Sequence, residues 1–333
     1  MAQHATVAVS EAVSSATTRL VSVSPTMSAP MNAPAVDTVE LDASASGVAA
    51  GDSTEKFGAW AQINGGVANQ KARKGASGFK SNMVGSMIGV DTMVNDRTIL
   101  GVAFGNIINN VKQKDIQAGD KTRSTSWVFS AYGNYQFDDN WFIRGAAAYT
   151  KTAVDNKDLR VVGATKGIAR GKYNIHSFGG ELTVGKAFRM QNDLVMTPSL
   201  GARFAHTGKI SYQETGGTGL NNKISQGATD SAQAVAGLQL TKSFARNNII
   251  ITPEAHANVA YGLGVKTPKG TYFSELDSAT VAYRGNKPGR VSSTIGVGIT
   301  AASGSVEYGV GYDANIAAGY LGHQGSLKLK VKF

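Results

Sequence analysis

The chain has 333 residues, of which 42% are apolar and 17% charged, with 40 glycines, 7 prolines, no cysteine and a formal net charge of +10. The absence of cysteine excludes a disulfide scaffold and thiolate metal sites, and no run approaches the ~18–20 apolar residues of a membrane-spanning helix. The Lys and Arg residues are scattered, not gathered into a block with interleaved aromatics, which argues against nucleic acid as a partner and suits loops near anionic headgroups.

Residues 1–23 carry Val9, Val13, Ala16 and Leu20 at helical spacing, with Ser, Thr and Ala between them. This predicts a slim, mildly amphipathic helix. Residues 24–56 are rich in Ser, Ala, Pro and Asp and read as a linker. From residue 57 to 333 the pattern changes to strands, and twelve are expected: Phe57–Gln70, Lys80–Met93, Thr98–Gln113, Arg123–Phe137, Trp141–Val154, Arg170–Phe188, Leu194–Tyr212, Thr229–Phe244, Asn248–Val265, Val291–Ala301, Val306–Ala314 and Tyr320–Phe333. Most exceed the ~5–6 residues of a globular strand and reach the ~9–11 that a tilted transmembrane strand needs.

The connections alternate. Tight turns at Val94–Arg97, Asp138–Asn140, Arg189–Asp193, Ala245–Asn247 and Ala302–Ser305 are separated by long polar loops at Lys71–Phe79, Lys114–Thr122, Asp155–Ala169, Gln213–Ala228 and Lys266–Arg290. Only the connection near Asn315–Gly319 is short for its class. Short periplasmic turns opposite long outer loops are the habit of up-and-down outer-membrane barrels. An even strand number then puts the start of the first strand and Phe333 on the periplasmic side. Because an outer-membrane protein needs a secretory signal and none is visible here, the chain is expected to be a piece of a longer precursor.

Side chains alternate as well. Trp127, Phe129, Ala131, Tyr135 and Phe137 share one face, and Ser126, Ser130, Asn134 and Gln136 the other. Trp127, Tyr135, Trp141 and Tyr149 are the expected membrane-interface aromatics. In the last strand Leu327, Leu329, Val331 and Phe333 are expected to face lipid, with Lys328, Lys330 and Lys332 in the lumen. The reverse register would place lysines in hydrocarbon at up to ~2–4 kcal/mol each. Arg144, Arg203, Glu254, His256, Lys328 and Lys330 are the candidate pore-lining residues, with His256 beside Glu254 as a polar pair. The segments Val195–Gly201 and Ile250–His256 share a Thr-Pro step and read as a repeated start of a hairpin strand.

No enzymatic constellation is visible: there is no Walker loop and no HExxH, and no serine sits in a nucleophile motif. Glycine pairs such as Gly296/Gly298 and Gly309/Gly311 lie inside strand patterns and read as lumen packing rather than a phosphate cradle. The expectation is no catalytic function, no metal and no cofactor. The alternatives are a passenger-less porin or a barrel lipase or protease.

Several stretches carry a resemblance: Ala49–Asp52 through Phe57–Trp60, Arg73–Ser81, Glu307–Asp313 and Gly322–Lys328. In order and spacing they resemble the translocator β-domain of autotransporters (type V secretion), most of all the rickettsial surface cell antigen and outer membrane protein B-like group. The resemblance covers nearly all of 57–333. It implies an all-β, twelve-stranded antiparallel transmembrane barrel with an N-terminal α-helix running through the pore. It also implies an upstream passenger exported to the cell surface, a host-cell adhesin or invasion factor meeting a host receptor. By the same resemblance Leu327, Leu329, Val331 and Phe333 match the terminal strand read by the barrel-assembly machinery. Outer-membrane lipid is the remaining partner, and a monomer is expected. Some relatives cut the passenger at an asparagine in the plug helix. Here Asn109, Asn110, Asn221, Asn222, Asn247 and Asn248 all lie in the barrel region, so no such self-cleavage is predicted.

Overall fold

The computed structural model describes residues 56–333, apart from 74–76, 138–139, 163, 266–268 and 285–288. The proposed helix of 1–23 and the linker of 24–56, Lys56 excepted, lie outside the described residues. Eighteen strands are labelled in chain order: β1 Phe57–Gln70, β2 Phe79–Asn95, β3 Thr98–Gln113, β4 Lys121–Gln136, β5 Trp141–Val162, β6 Thr165–Lys186, β7 Phe188–Arg189, β8 Leu194–Thr207, β9 Ile210–Gln213, β10 Asn222–Gln226, β11 Thr229–Lys242, β12 Phe244–Arg246, β13 Ile249–Val265, β14 Lys269–Ser274, β15 Thr280–Arg284, β16 Val291–Ser303, β17 Val306–Ala317 and β18 Tyr320–Lys332.

Twelve of them form one antiparallel ring: β1 to β6, then β8, β11, β13, β16, β17 and β18, which returns to β1. The short β7 and β12 continue β6 and β11 at the turn end. Closure runs from Gly58 opposite Lys332 to Gln70 opposite Tyr320. The last residue completes it: Phe57 and Phe333 exchange backbone hydrogen bonds of 3.0 and 2.9 Å. A closed ring leaves no unpaired edge in hydrocarbon, the condition for crossing a membrane with strands.

All five tight turns, Phe57 and Phe333 lie at one end, the turn end; the longer connections lie at the other, the loop end. Three of the turns use the left-handed region, with Asn192 at φ 61° and Asp193 at φ 58°, Asn247 at φ 54° and Gly304 at φ 54°; Gly, Asn and Asp enter it most readily. The Thr-Pro steps also have a local reason. Pro198 and Pro253 fall opposite Lys186 and Lys242, the last residues before the neighbouring strand breaks at Ala187, between β6 and β7, and at Ser243, between β11 and β12. A residue without an N–H is tolerated where the ladder is already interrupted.

The loop end departs from the expected loops. β5 and β6 do not stop at Val154 and Arg170; they pair up to Val162 opposite Thr165, as a hairpin projecting beyond the barrel. The expected seventh strand, Leu194–Tyr212, ends at Thr207, and Ile210–Gln213 joins a different sheet. That second sheet has the order β15-β14-β10-β9 and is built from the end of that expected strand and from the stretches read as loops Gln213–Ala228 and Lys266–Arg290. It packs on the inward face of the hairpin, where Val154, Tyr173 and Ile175 meet Ile210, Tyr212 and Ile224 in a buried apolar cluster. We call the hairpin tip and this sheet the cap.

Candidate functional site: the barrel lumen

Strand alternation sets the site. On β4, outward Trp127, Phe129, Tyr135 and Phe137 are exposed, while inward Ser126, Val128, Tyr132, Asn134 and Gln136 are buried. On β18, Leu327, Leu329, Val331 and Phe333 are 51%, 42%, 38% and 63% exposed on the outer face. Lys328, Lys330 and Lys332 point inward between them. Trp127 stacks on Phe104 with centroids 5.6 Å apart, and Tyr135, Phe137 and Trp141 stack in series at 6.4 and 6.2 Å at the turn end. Tyr149 bonds His176 Nδ1 at 2.7 Å. The outer face also carries Phe57, Phe188, Phe244 and Tyr308 near the turn end, none of them singled out from the sequence.

The lumen is polar and charged. Arg144, Arg203, Glu254 and His256 line one cavity of about 230 Å³ together with Glu181 and Asp313. Arg203 Nε donates to Glu181 at 2.7 Å, and Gln239 donates to Glu254 at 2.9 Å. The Arg144 guanidinium lies over the Phe142 ring at 5.2 Å. Lower in the barrel, Lys330 Nζ contacts both Asp91 oxygens at 2.8 and 3.0 Å, and Lys332 pairs with Glu307 at 2.6 Å. Lys328 lies 5.4 Å over the Trp60 ring.

The expected His256–Glu254 pair is present but loose, and His256 has a second, closer partner. His256 Nε2 bonds Asp313 at 2.8 Å, whereas Nδ1 is 3.9 Å from Glu254. The partner sits two strands away. His256, Gly296 and Asp313 stand in one row on β13, β16 and β17. A Cβ on Gly296 would come 2.2 Å from Asp313 Oδ1 and 2.5 Å from His256. Only a bare backbone there lets the two side chains meet.

The same device recurs. Asp91, Gly101 and Tyr132 share a row on β2, β3 and β4, and Tyr132 donates to Asp91 at 3.1 Å across that glycine. Lys330 reaches Asp91 over Gly58, whose Cβ would lie 2.6 Å from Asp91 and 2.7 Å from Lys330. Trp60 Nε1 donates to Tyr132 at 2.6 Å while its ring covers Gly89. The result is a chain Lys330–Asp91–Tyr132–Trp60 that crosses the β18/β1 seam. Of its members only Lys330 was picked out from sequence. Asp91, Tyr132, Trp60 and Asp313 become visible only once the strands are in register and the intervening glycines are counted.

The cap holds its own charges. Arg160 donates to Glu214 at 2.6 Å and approaches Asp158 at 3.5 Å; Glu214 also accepts the Asn222 N–H at 2.9 Å. All three side chains are at least nine-tenths buried. Burial pushes the Asp158 carboxyl up to about 8; Arg160 opposes this, while Asp120 and Glu214 add to it. Burial likewise raises Glu214, against the pull of Arg160. Tyr212 stacks on Tyr173 at 4.4 Å and lies flat over Gly171, where a Cβ would come within 2.2 Å of its ring.

Comparisons with known proteins agree with this geometry. Residues 59–315 match the family model of the autotransporter β-domain. The chain is 33% identical over 290 residues to outer membrane protein A of Rickettsia conorii, covering 85% of this chain and 14% of that protein. It is 31% identical over 308 residues to outer membrane protein B of Rickettsia prowazekii, covering 89% of this chain and 19% of that protein. The chain thus spans less than a fifth of the length of these relatives. Among solved structures, the translocator domain of the Neisseria meningitidis autotransporter NalP superposes with a TM-score of 0.65 at 13% identity, over 84% of this chain and 90% of that one. The β-domain of the Bordetella autotransporter BrkA gives 0.61 at 14% identity, over 84% and 100%.

Proposed function

This chain belongs to the autotransporter β-domain family and resides in the outer membrane, and from that premise we propose that it anchors an upstream passenger and supports its export to the cell surface. The observation that carries the reading is a closed ring whose preceding chain joins at the turn end. Lys56 accepts a backbone bond from Met93 beside the turn, so the described chain enters the ring at that end, and our reading routes the passenger from there to the loop end through the lumen. That lumen is lined with charged and hydrogen-bonding groups able to replace water around a moving chain. Residues 1–23, with small Ser, Thr and Ala side chains, suit a helix held there, and 24–56 a linker. Arg144, Arg203, Glu254 and His256 are the groups we assign to contact that helix.

The passenger is read as an adhesin or invasion factor acting on a host-cell receptor, in keeping with the surface-antigen relatives. The domain itself is read as a non-enzymatic monomer. Leu327, Leu329, Val331 and Phe333 are assigned to recognition by the barrel-assembly machinery, with Phe333 also closing the ring.

The test places a reporter passenger between a signal peptide and residue 1. Surface protease should remove the reporter from intact cells that carry a folded, heat-modifiable barrel. A folded barrel with the reporter left in the periplasm sinks the proposal. Deletion of Phe333 should lower the amount of folded barrel before it changes export per folded barrel.

A further inference from the structure

The outer face of the barrel carries a row that neither the lumen nor the aromatic girdle explains. Lys80, Lys112, Lys121, Lys157 and Arg170 stand directly opposite one another on β2, β3, β4, β5 and β6. All five are exposed and point outward. Like charges in directly opposed positions destabilise a sheet, and here four successive pairs repeat the arrangement. Among the described residues none of the five forms an ion pair. Arg123 and Lys172 lie one outward position closer to the turn end, flanking Asp155 in the row, so a single carboxylate sits in a field of cations.

The level of the row decides what it faces. On β4 the outward residues run Tyr135, Gly133, Ala131, Phe129, Trp127, Thr125, Arg123, Lys121, from aromatic and apolar to basic. Short turns of outer-membrane barrels face the periplasm, so the row lies toward the outside. It lies roughly 35–40 Å above the turns, taking about 3.4 Å per residue and a tilt of about 40°. A bilayer with its headgroups is ~40–45 Å thick, which puts the row among the outer-leaflet headgroups. On the next strands of the ring the pattern is different: at the loop end of β8 and β11, outward His206 is already bonded to Asp230 at 2.7 Å.

We propose that this basic arc on β2–β6 binds the phosphate-bearing headgroups of outer-leaflet lipid. Phosphates supply the counter-charge the ladder lacks, at the height where the ladder stands. The arc therefore gives the barrel one lipid-gripping side. The inference rests on outer-membrane residence and not on passenger export.

The test uses the full chain in detergent, with bisphosphorylated lipid A, its dephosphorylated form and inorganic pyrophosphate as probes, read by native mass spectrometry. The phosphorylated lipid should be retained at least tenfold better than the dephosphorylated one, and retention should fall as salt is raised. The triple variant Lys112→Gln, Lys121→Gln, Lys157→Gln should lose at least fivefold. A control triple on the cap, Lys209→Gln, Lys223→Gln, Lys269→Gln, should lose none. Should the arc variant fail to give a heat-modifiable barrel, Lys121→Gln alone should lose about threefold. Equal retention of the two lipids, an unaffected arc variant, or displacement of the lipid by equimolar pyrophosphate would overturn the proposal.

Discussion

The barrel and its cap share two strands and obey opposite rules. On β5 the outward side chains are apolar through Tyr149, and the inward ones include Arg144, Thr150 and Thr152. At Val154 the pattern changes locally: Val154, with Tyr173 and Ile175 on β6, turns inward into an apolar cluster while Lys157 and Lys172 point out, and toward the tip Asp158 and Arg160 are again inward with Leu159 and Val161 outward. The register does not slip; the surroundings change. Below, the strand has lipid outside and a polar lumen inside. Above, it has headgroups and then water outside and a packed cap inside. Alternation therefore reports which solvent a face meets, and a strand that passes from lipid to water changes its pattern without changing its direction.

Breaking the two regions separately tests whether they are independent. The largest expected effect is in the cap: Arg160→Ala leaves Glu214 buried and uncompensated, a change that costs ~3–5 kcal/mol. Hydrogen exchange in β9 and β10 should accelerate strongly while the thermal transition of the barrel stays in place. Arg160→Met with Glu214→Leu should recover most of the loss. A barrel that melts earlier in the single variant would show that the cap is part of one cooperative unit.

Gly101→Ala is the counterpart in the barrel. The added methyl meets the Tyr132 ring at 2.3 Å, displacing the hydroxyl that joins Trp60 to Asp91, at ~1–3 kcal/mol for overpacking. Here the barrel transition should drop and cap exchange should not move.

The third prediction concerns pH and is confined to the cap. In the folded chain Asp158 titrates near 8, far above its ordinary 3.8. A carboxyl raised on folding holds its proton more tightly in the native state. Its contribution is complete below about pH 4 and is lost as pH rises through about 8, with at most ~1.4 kcal/mol per pH unit. Exchange in β9 and β10, corrected for its intrinsic pH dependence, should therefore quicken from pH 5.5 to 8.5. Asp158→Asn should flatten the profile; an unchanged slope in that variant removes Asp158 as the cause.

The smallest effect is expected at the girdle. Trp141 stacks on Phe137 and lies under Lys186 at 5.2 Å, so Trp141→Ala should cost about 1 kcal/mol of barrel stability in lipid vesicles. No change there would mean the ring contributes position and not energy.

Much of the fold was legible. The twelve transmembrane strands, the alternation of turns and longer connections, and the outward face of β4 and β18 all follow from a period of two in a chain with few prolines. The site was legible only in part. Arg144, Arg203, Glu254 and His256 could be placed inside by parity, but their partners could not, because Asp313 and Glu181 are remote in sequence. The long polar stretches hid β10, β14 and β15, whose short runs carry only a few apolar residues each, such as Ile224 and Tyr272, and β9, with Ile210 and Tyr212, was read as the end of the seventh membrane strand.

By itself, then, the sequence determined which side chains along each membrane strand face lipid and which face the lumen, since a one-residue shift would bury lysines in hydrocarbon. Tertiary structure alone decided which inward groups meet: the row that sets Gly296 between His256 and Asp313, the seam crossed by Lys330 and Asp91, and the cap in which Arg160 finds Glu214. Parity is local and can be read residue by residue. Pairing between strands depends on register and closure around the whole ring, and no single stretch of chain contains it.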